Sequence, residues 1–184
     1  MLFTFVVLFL TLGCDLAYGQ GEEGNEKEEV TVTLNFSQKG AFGLKKNSNN
    51  NKGESTDVTF KVQDLSVSLR GMICYHEGEN TYLRLDGYVY DQGQINISVP
   101  KNDAIKNISI TAKKDEYSKF TVSYMHNQQE RSNKFDKKNP KEPIQVNGID
   151  SDHIILTPQK NEKLYLIQIT LTITRPKLDA TLDE

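Results

Sequence analysis

The stretch RGMICYHEG, residues 70–78, places a cysteine and a histidine two positions apart. A thiolate beside an imidazole is the arrangement of a nucleophile and its base, and such a pair needs a hydrogen bond of about 3 Å. The flanking residues predict a β-strand, in which side chains two apart share one face at a separation of roughly 6–7 Å. We therefore do not expect Cys74 and His76 to act as a catalytic dyad.

Two other interpretations of Cys74 stay open. Strand parity groups it with Ser66, Ser68 and Arg70, opposite the apolar side chains. An exposed cysteine in an oxidising compartment is a candidate for an intermolecular disulfide, and hence for a homodimer. Alternatively, Gly71 resets the strand, and the thiol turns inward as a small apolar side chain.

The remaining chemical inventory does not indicate an enzyme. The three histidines, His76, His126 and His153, fall in separate predicted segments, and no metal-binding, nucleophile-elbow or phosphate-loop motif accompanies them. The run DSDH at residues 150–153 offers two carboxylates beside a histidine, but it lacks the further oxygen ligands at set spacing that define a calcium loop. The sequence therefore predicts no catalytic residues, no metal and no cofactor.

Two groups of residues could bind a partner. Tyr88 and Tyr90 share one parity of a predicted short strand between Gly87 and Gly93, and tyrosine is enriched at recognition surfaces. The polar segment 127–143 is predicted to be a loop, and its basic residues either contact an anionic ligand, such as a sulfated glycan or a membrane surface, or simply solvate the loop. These basic residues are Arg131, Lys134, Lys137, Lys138 and Lys141.

Three N-glycosylation sequons lie at Asn35, Asn96 and Asn107. In each predicted strand the asparagine has the polar parity, so all three side chains point to the solvent face, as a bulky glycan requires. Any asparagine in an amphipathic strand would face outward, so parity alone does not establish modification. In a secreted chain we expect at least one of the three sites to be occupied.

The N-terminal residues predict secretion. An apolar run from Phe5 to Leu12 precedes Ala17 and Gly19, which have the spacing that a signal peptidase reads. The run is shorter than the about 20 residues that span a bilayer, which argues against a stable membrane anchor. Cleavage after Gly19 would remove Cys14 and leave a secreted, extracellular chain.

Alternation of apolar and polar residues runs through most of the chain, whereas apolar residues at helical spacing are nowhere sustained. The clearest strand signal covers residues 164–174. The pair Gln63-Asp64 is predicted to form a bulge or a tight turn, and Asn147-Gly148 suits a two-residue hairpin. Many short strands with such turns predict an all-β fold: an antiparallel β-sandwich, immunoglobulin-like or jelly-roll, with a closed barrel as the alternative.

The predicted organisation is a signal peptide at 1–19, a flexible acidic lead-in at 20–29, one β-sandwich domain at 30–176 and a polar tail at 177–184. The formal charge of −3 provides no basic field for nucleic acid. We expect a secreted, N-glycosylated, non-catalytic binding protein with a protein or glycan partner and a host-facing or extracellular role in recognition, adhesion or immune modulation. Three alternatives stay open: a carrier of a small apolar ligand in a barrel or inter-sheet cavity, a structural matrix or coat component, and a hydrolase with a site dispersed over loops.

Overall fold

The computed structural model describes residues 26–46, 53–78, 81–88, 90–114, 116–138 and 142–177. Within these ranges the chain forms β-strands and one short 3₁₀ turn at Ala41–Gly43, and no helix there is long and apolar enough for a membrane span. The strands are β1 (Lys27–Asn35), β2 (Glu54–Val62), β3 (Leu65–His76), β4 (Tyr82–Asp86), β5 (Gln94–Ser98), β6 (Ala104–Ala112), β7 (Tyr117–His126), β8 (Gln129–Lys138), β9 (Ile144–Ser151), β10 (His153–Pro158) and β11 (Lys163–Pro176). The predicted all-β fold is confirmed, and β1 begins within the segment that was expected to be a lead-in.

All the strands belong to one antiparallel sheet. Its order is β8-β7-β10-β5-β3-β4-β11-β6-β9, with β1 added at β11 and β2 added at β3. The short strand β4 joins the two halves, because Leu85 lies opposite Ile73 of β3 on one side and opposite Leu164 of β11 on the other. Since β7 also lies against β9, the sheet curls around the core until it nearly closes.

Alternation along each strand builds the core. In β3, Leu65, Val67 and Leu69 are buried, whereas Ser66 and Ser68 face the other side and are only half-buried. Burial of each such aliphatic side chain contributes about 1.5–3 kcal/mol. The outer face of the sheet therefore carries the polar parity, and the candidate binding groups must be sought there or in the loops.

The two turn predictions have different outcomes. Gln63 and Asp64 form a tight turn between β2 and β3, with Val62 opposite Leu65, as expected. The hairpin prediction at Asn147-Gly148 is wrong, because both residues lie within β9, where the register to β6 shifts. Gly148 has a φ of 68°, and a bulge uses such a conformation as readily as a hairpin turn does.

The prediction of a basic loop at 127–143 is also wrong. Asn127 and Gln128 both have positive φ and make a two-residue hairpin turn, after which β8 pairs with β7 along its length. Phe135 stacks on Phe120 with ring centroids 5.1 Å apart, which attaches this polar strand to the core. Arg131, Lys134 and Lys137 therefore lie on a strand whose alternation divides their side chains between its two faces: Arg131 and Lys137 have one parity and Lys134 has the other. Lys138 is the last residue of β8, and Lys141 lies outside the described residues.

Candidate functional site

Tyrosines make up most of the large apolar side chains that are exposed in the described part of the chain. Among the described residues, four large apolar side chains are exposed, and three of them are tyrosines: Tyr88 is 50% exposed, Tyr90 101% and Tyr117 41%. A tyrosine ring gains nothing for folding when it stands in water, whereas it offers a partner a large contact area at low entropic cost. These three side chains therefore mark the first candidate for a binding surface.

Tyr88 and Tyr90 lie on the connection between β4 and β5, residues 87–93, which we call the tyrosine loop. The expected short strand at 87–90 is not formed at its described positions. The loop is closed at its base by the hydrogen bond from Gly93 N to Asp86 O, 2.8 Å. Its sides are held by Gly87 N, which donates to Glu162 O at 2.8 Å, and by Asp91 O, which accepts from Met72 N at 3.1 Å. The tyrosines thus project from a backbone that is closed at its base and held by two other segments, at Met72 and at Glu162.

Two glycines allow this close attachment. A Cβ on Gly71 of β3 would lie 2.2 Å from the carbonyl oxygen of Gln92, and the residue has a φ of +78°. A Cβ on Gly87 would lie 2.0 Å from the carbonyl oxygen of Gln159. Both neighbours are backbone atoms that cannot rotate away, so any side chain at these positions would push the loop off the sheet. Gly87 and Gly93, which bracket the two tyrosines, were the sequence signal for an anchored loop rather than a strand.

A small polar cleft of about 100 Å³ opens beside Tyr88. The carboxylate of Glu162 on its wall receives Lys119 Nζ at 3.2 Å, and the same ammonium lies 4.9 Å from the ring centroid of Tyr117. Tyr117, which no sequence pattern indicated, is therefore linked to the tyrosine loop through this ion pair. The cleft is lined by Asp86, Gly87, Tyr88, Asn161, Glu162 and Lys163.

A buried ion pair forms the floor of this region. Arg84 Nη2 donates to Asp86 Oδ2 at 2.9 Å, and Arg84 Nε lies 2.8 Å from Oδ1, a contact of charges without hydrogen-bond alignment. Asp86 Oδ2 also accepts from Gly53 N at 3.2 Å. Because both side chains are almost fully buried, breaking one partner would strand the other charge in a poorly solvated site.

The Arg84–Asp86 pair belongs to a layer of side chains on the outer face of the sheet, which we call the outer layer. This layer also covers Cys74, which lies opposite Arg84 in the β3–β4 register. Each of the two open interpretations holds only in part: the side chain keeps the parity opposite to the main core, yet it is 0% exposed. Burial raises the pKa of the thiol, with a smaller opposing effect from the Arg84 charge. The disulfide dimer through Cys74 is therefore not supported, because the sulfur is not on an accessible surface.

The three histidines make separate contacts. His76 stacks on Tyr82 with ring centroids 4.8 Å apart, His126 Nδ1 lies 2.9 Å from Ile149 O, and His153 Nδ1 lies 2.6 Å from Asp152 Oδ1. Tyr82 is in turn covered by Lys113, whose Nζ lies 4.7 Å from the ring centroid. Within the described ranges, no group of three His, Cys, Asp or Glu side chains could hold a metal ion.

The sequon asparagines lie on the outer face of the sheet. Asn35 is flanked by the buried Leu34 and Phe36, Asn96 by Ile95 and Ile97, and Asn107 is followed by Ile108. Asn35 Oδ1 accepts from Ser37 N at 2.9 Å, and Asn107 Oδ1 accepts from Gly148 N at 3.4 Å. Each asparagine is half-buried. The three therefore differ in their hydrogen-bond contacts rather than in their exposure.

No protein-family model and no curated protein matches the chain. Among solved structures, it is similar to a family 32 carbohydrate-binding module from C. perfringens NanJ in complex with galactose (10% identity, TM-score 0.43, 64% of this chain and 99% of that chain). It is similar to a mutant of a family 29 carbohydrate-binding module (9% identity, TM-score 0.41, 79% of this chain and 92% of that chain). A family two carbohydrate esterase from Cellvibrio japonicus is matched at 12% identity and a TM-score of 0.40, over 82% of this chain and 36% of that chain. At these values the likenesses carry no conclusion about ligand or activity.

Proposed function

We propose that this chain is a secreted, N-glycosylated, non-catalytic binding protein that recognises a carbohydrate with the tyrosine loop and Tyr117. The observation that carries the proposal is a polar cleft that Tyr88 lines and whose wall residue Glu162 pairs with Lys119 beside the Tyr117 ring. Among the described residues, three of the four exposed large apolar side chains are tyrosines, namely Tyr88, Tyr90 and Tyr117. The extracellular role rests on the N-terminal sequence, and the glycosylation rests on the sequons.

Carbohydrate chemistry fits this surface. A pyranose ring has an apolar C–H face that packs on an aromatic ring, and its hydroxyl groups both donate and accept hydrogen bonds. Beside Tyr88 the exposed amide of Asn161, the carboxylate of Glu162 and the ammonium of Lys163 supply donors and acceptors of both kinds. Because the cleft holds only about 100 Å³, it accommodates an edge of a sugar while the rings of the tyrosines provide the platform.

The anchored backbone favours binding for an entropic reason. Ordering a mobile loop on association costs roughly 0.5–1.5 kcal/mol per immobilised side chain, and a loop held in advance avoids part of that cost. The hydrogen bonds at Gly87, Asp91 and Gly93 hold the tyrosine loop at both ends. We therefore expect Tyr88 and Tyr90 to meet a ligand with little rearrangement of the backbone.

The test is binding of the secreted, full-length protein to an array of immobilised neutral, sialylated and sulfated glycans, followed by titration with the best binder. We expect Tyr90→Ala and Tyr117→Ala each to weaken binding at least tenfold, because an anchoring aromatic side chain contributes about 2 kcal/mol or more. Tyr90→Phe should retain most of the affinity, since the ring makes the contact.

Val58→Ala is the matched control, because Val58 is 40% exposed but lies on β2. Urea unfolding of each variant would show that the fold is intact. Absence of glycan binding by the wild type would contradict the proposal, and so would binding that survives replacement of all three tyrosines by alanine.

A further inference from the structure

A second and larger cleft lies at the opposite end of β5 from the tyrosine loop. Its volume is about 380 Å³, and it opens where the β2–β3 turn meets the residues that follow β5. Most of its lining side chains carry hydrogen-bonding groups, with Val99 and Pro100 as apolar floor. The cleft is lined by Lys61, Gln63, Asp64, Ser66, Ser98, Val99 and Pro100.

One wall of this cleft is fixed by ion pairs. Arg175 of β11 lies 3.3 Å from Asp64 and 3.4 Å from Asp103. The β2–β3 turn is therefore tied both to β11 and to the loop that follows β5. Because Asp64 remains largely exposed, its carboxylate keeps capacity to accept hydrogen bonds from a ligand in the cleft.

Asn96 lies directly beside this cleft. It stands two residues before Ser98 on β5, so both side chains share the outer face at a spacing of about 6–7 Å. In the register with β3, Ser98 is opposite Ser66 and Asn96 is opposite Ser68. A group attached to the amide of Asn96 and directed along β5 would thus reach the Ser66–Ser98 pair that lines the cleft.

The hydrogen bonding of the Asn96 side chain differs from that of the other two sequon asparagines. Asn96 Oδ1 and Ser68 Oγ are both buried, and within the part of the chain that the structure describes neither has a hydrogen-bond partner. The side-chain oxygens of Asn35 and Asn107 do accept hydrogen bonds. Among the described residues, no hydrogen bond to its side-chain oxygen therefore fixes the amide of Asn96, unlike the amides of Asn35 and Asn107.

We propose that the cleft holds the glycan carried by Asn96. The inference rests on the glycosylation in the proposed function. During secretion a lipid diphosphate-linked oligosaccharide would supply the sugar: a bond forms between its C1 and the Asn96 amide nitrogen, that nitrogen loses a proton, and the lipid diphosphate leaves. The first sugar, an N-acetylhexosamine, extends from the Asn96 amide nitrogen along β5 towards the hydroxyl groups of Ser66 and Ser98, which line the cleft. The next sugars lie over Val99 and Pro100, within reach of Lys61 and Asp64.

The test is release of each glycan by an N-glycosidase from the natively folded, secreted protein, with site occupancy measured by peptide mass spectrometry before and after unfolding. We expect the glycans of Asn35 and Asn107 to be released from the native protein and that of Asn96 to be released at least tenfold more slowly. After unfolding, all three should be released at similar rates.

Variants of the cleft distinguish protection of the Asn96 glycan by the cleft from protection by the sheet in general. Lys61→Ala together with Asp64→Ala leaves the sequon intact, and we expect native release at Asn96 to rise to the rate of the other two sites. An unoccupied Asn96, equal native rates at the three sites, or protection that persists in the variant would each overturn the inference. If no site is occupied, the glycosylation in the proposed function fails as well, whereas glycan recognition by the tyrosine loop is measured independently on the array.

Discussion

Three glycine-to-alanine substitutions separate the effects that attach the tyrosine loop to the sheet. Gly148 has a φ of +68° with nothing within 4 Å of an added Cβ, so Gly148→Ala tests the backbone conformation alone. Gly87→Ala tests the close approach to the Gln159 carbonyl, at 2.0 Å, without a positive φ. Gly71→Ala combines a φ of +78° with an approach of 2.2 Å to the Gln92 carbonyl.

The expected losses follow from these geometries. A left-handed conformation costs an alanine about 1–2 kcal/mol. The reduced entropy of the unfolded chain offsets about 0.4–1 kcal/mol of this cost. Gly148→Ala should therefore lower the free energy of unfolding by about 1 kcal/mol. Overlap with a fixed backbone atom costs a further 1–3 kcal/mol or so. Gly71→Ala should therefore be less stable than Gly148→Ala by about 2 kcal/mol, which corresponds to a Tm difference of roughly 4–8 °C for a domain of this size.

Equilibrium urea unfolding of the three variants measures these differences, and glycan titration measures their effect on binding. We expect Gly87→Ala to weaken glycan binding although every tyrosine is retained, because the loop must shift to admit the methyl group. Gly148→Ala should bind as the wild type does. A Gly71→Ala protein as stable as Gly148→Ala, or a Gly87→Ala protein with unchanged stability and affinity, would refute the argument that close backbone contact fixes the loop.

Two further predictions concern the outer layer above β3. Because the thiol is buried and its pKa is raised, Cys74 should react with a thiol-specific disulfide reagent only after unfolding. For the same reason the secreted protein should run as a monomer in non-reducing electrophoresis, and a dimer band that reductant removes would contradict this. The pKa of His76 is lowered from 6.5 by burial and by Lys46, Lys113 and Arg84. Below about pH 6.5 the unfolded chain therefore binds a proton that the native protein does not bind. The free energy of unfolding then falls as the pH decreases towards the folded pKa. Urea unfolding between pH 7.5 and 5 should show a smaller decrease for His76→Gln than for the wild type, and equal decreases would contradict the assignment.

Strand alternation was sufficient to predict the fold class and most of the inward residues. The exception is the first part of β11, where Tyr165 and Ile167 have the apolar parity but Leu164 and Leu166 are buried instead, because the register shifts between Leu166 and Gln168. In β3, and in β11 after that shift, the apolar parity of the sequence is the parity of the core: Leu65, Val67 and Leu69 in one strand, Ile169 and Leu171 in the other. This works because side chains of a half-buried strand alternate strictly between two environments. Even the short turn at residues 63–64 could be placed, since the apolar parity slips there and the chain must reverse or bulge.

Features that depend on contacts between distant segments could not be predicted in this way. The strand β8 reads as a polar loop because its pairing with β7 is made by backbone groups, and a single side chain, Phe135, attaches it to the core. The tyrosine loop is held by Met72 and Glu162, which stand far from it in the sequence. Nothing in the residues 87–93 themselves specifies those partners.

The burial of Cys74 has the same origin, which is why parity alone left both interpretations of this residue open. Polar parity predicts exposure only where water covers the outer face, and at the end of β3 that face is covered by the Arg84–Asp86 ion pair and by the aromatic contact of His76 with Tyr82. A charged pair can be buried there because its members satisfy each other and because Gly53 N donates to the carboxylate. This covered layer lies next to the tyrosine loop, since Asp86 takes part in both.

The outer face is therefore divided along β5: one end adjoins an anchored loop that exposes aromatic rings, and the other end adjoins a polar cleft beside Asn96. A glycan seated in that cleft would lie about five residues of extended strand, roughly 16 Å, from the loop, and would leave the tyrosines open to a ligand.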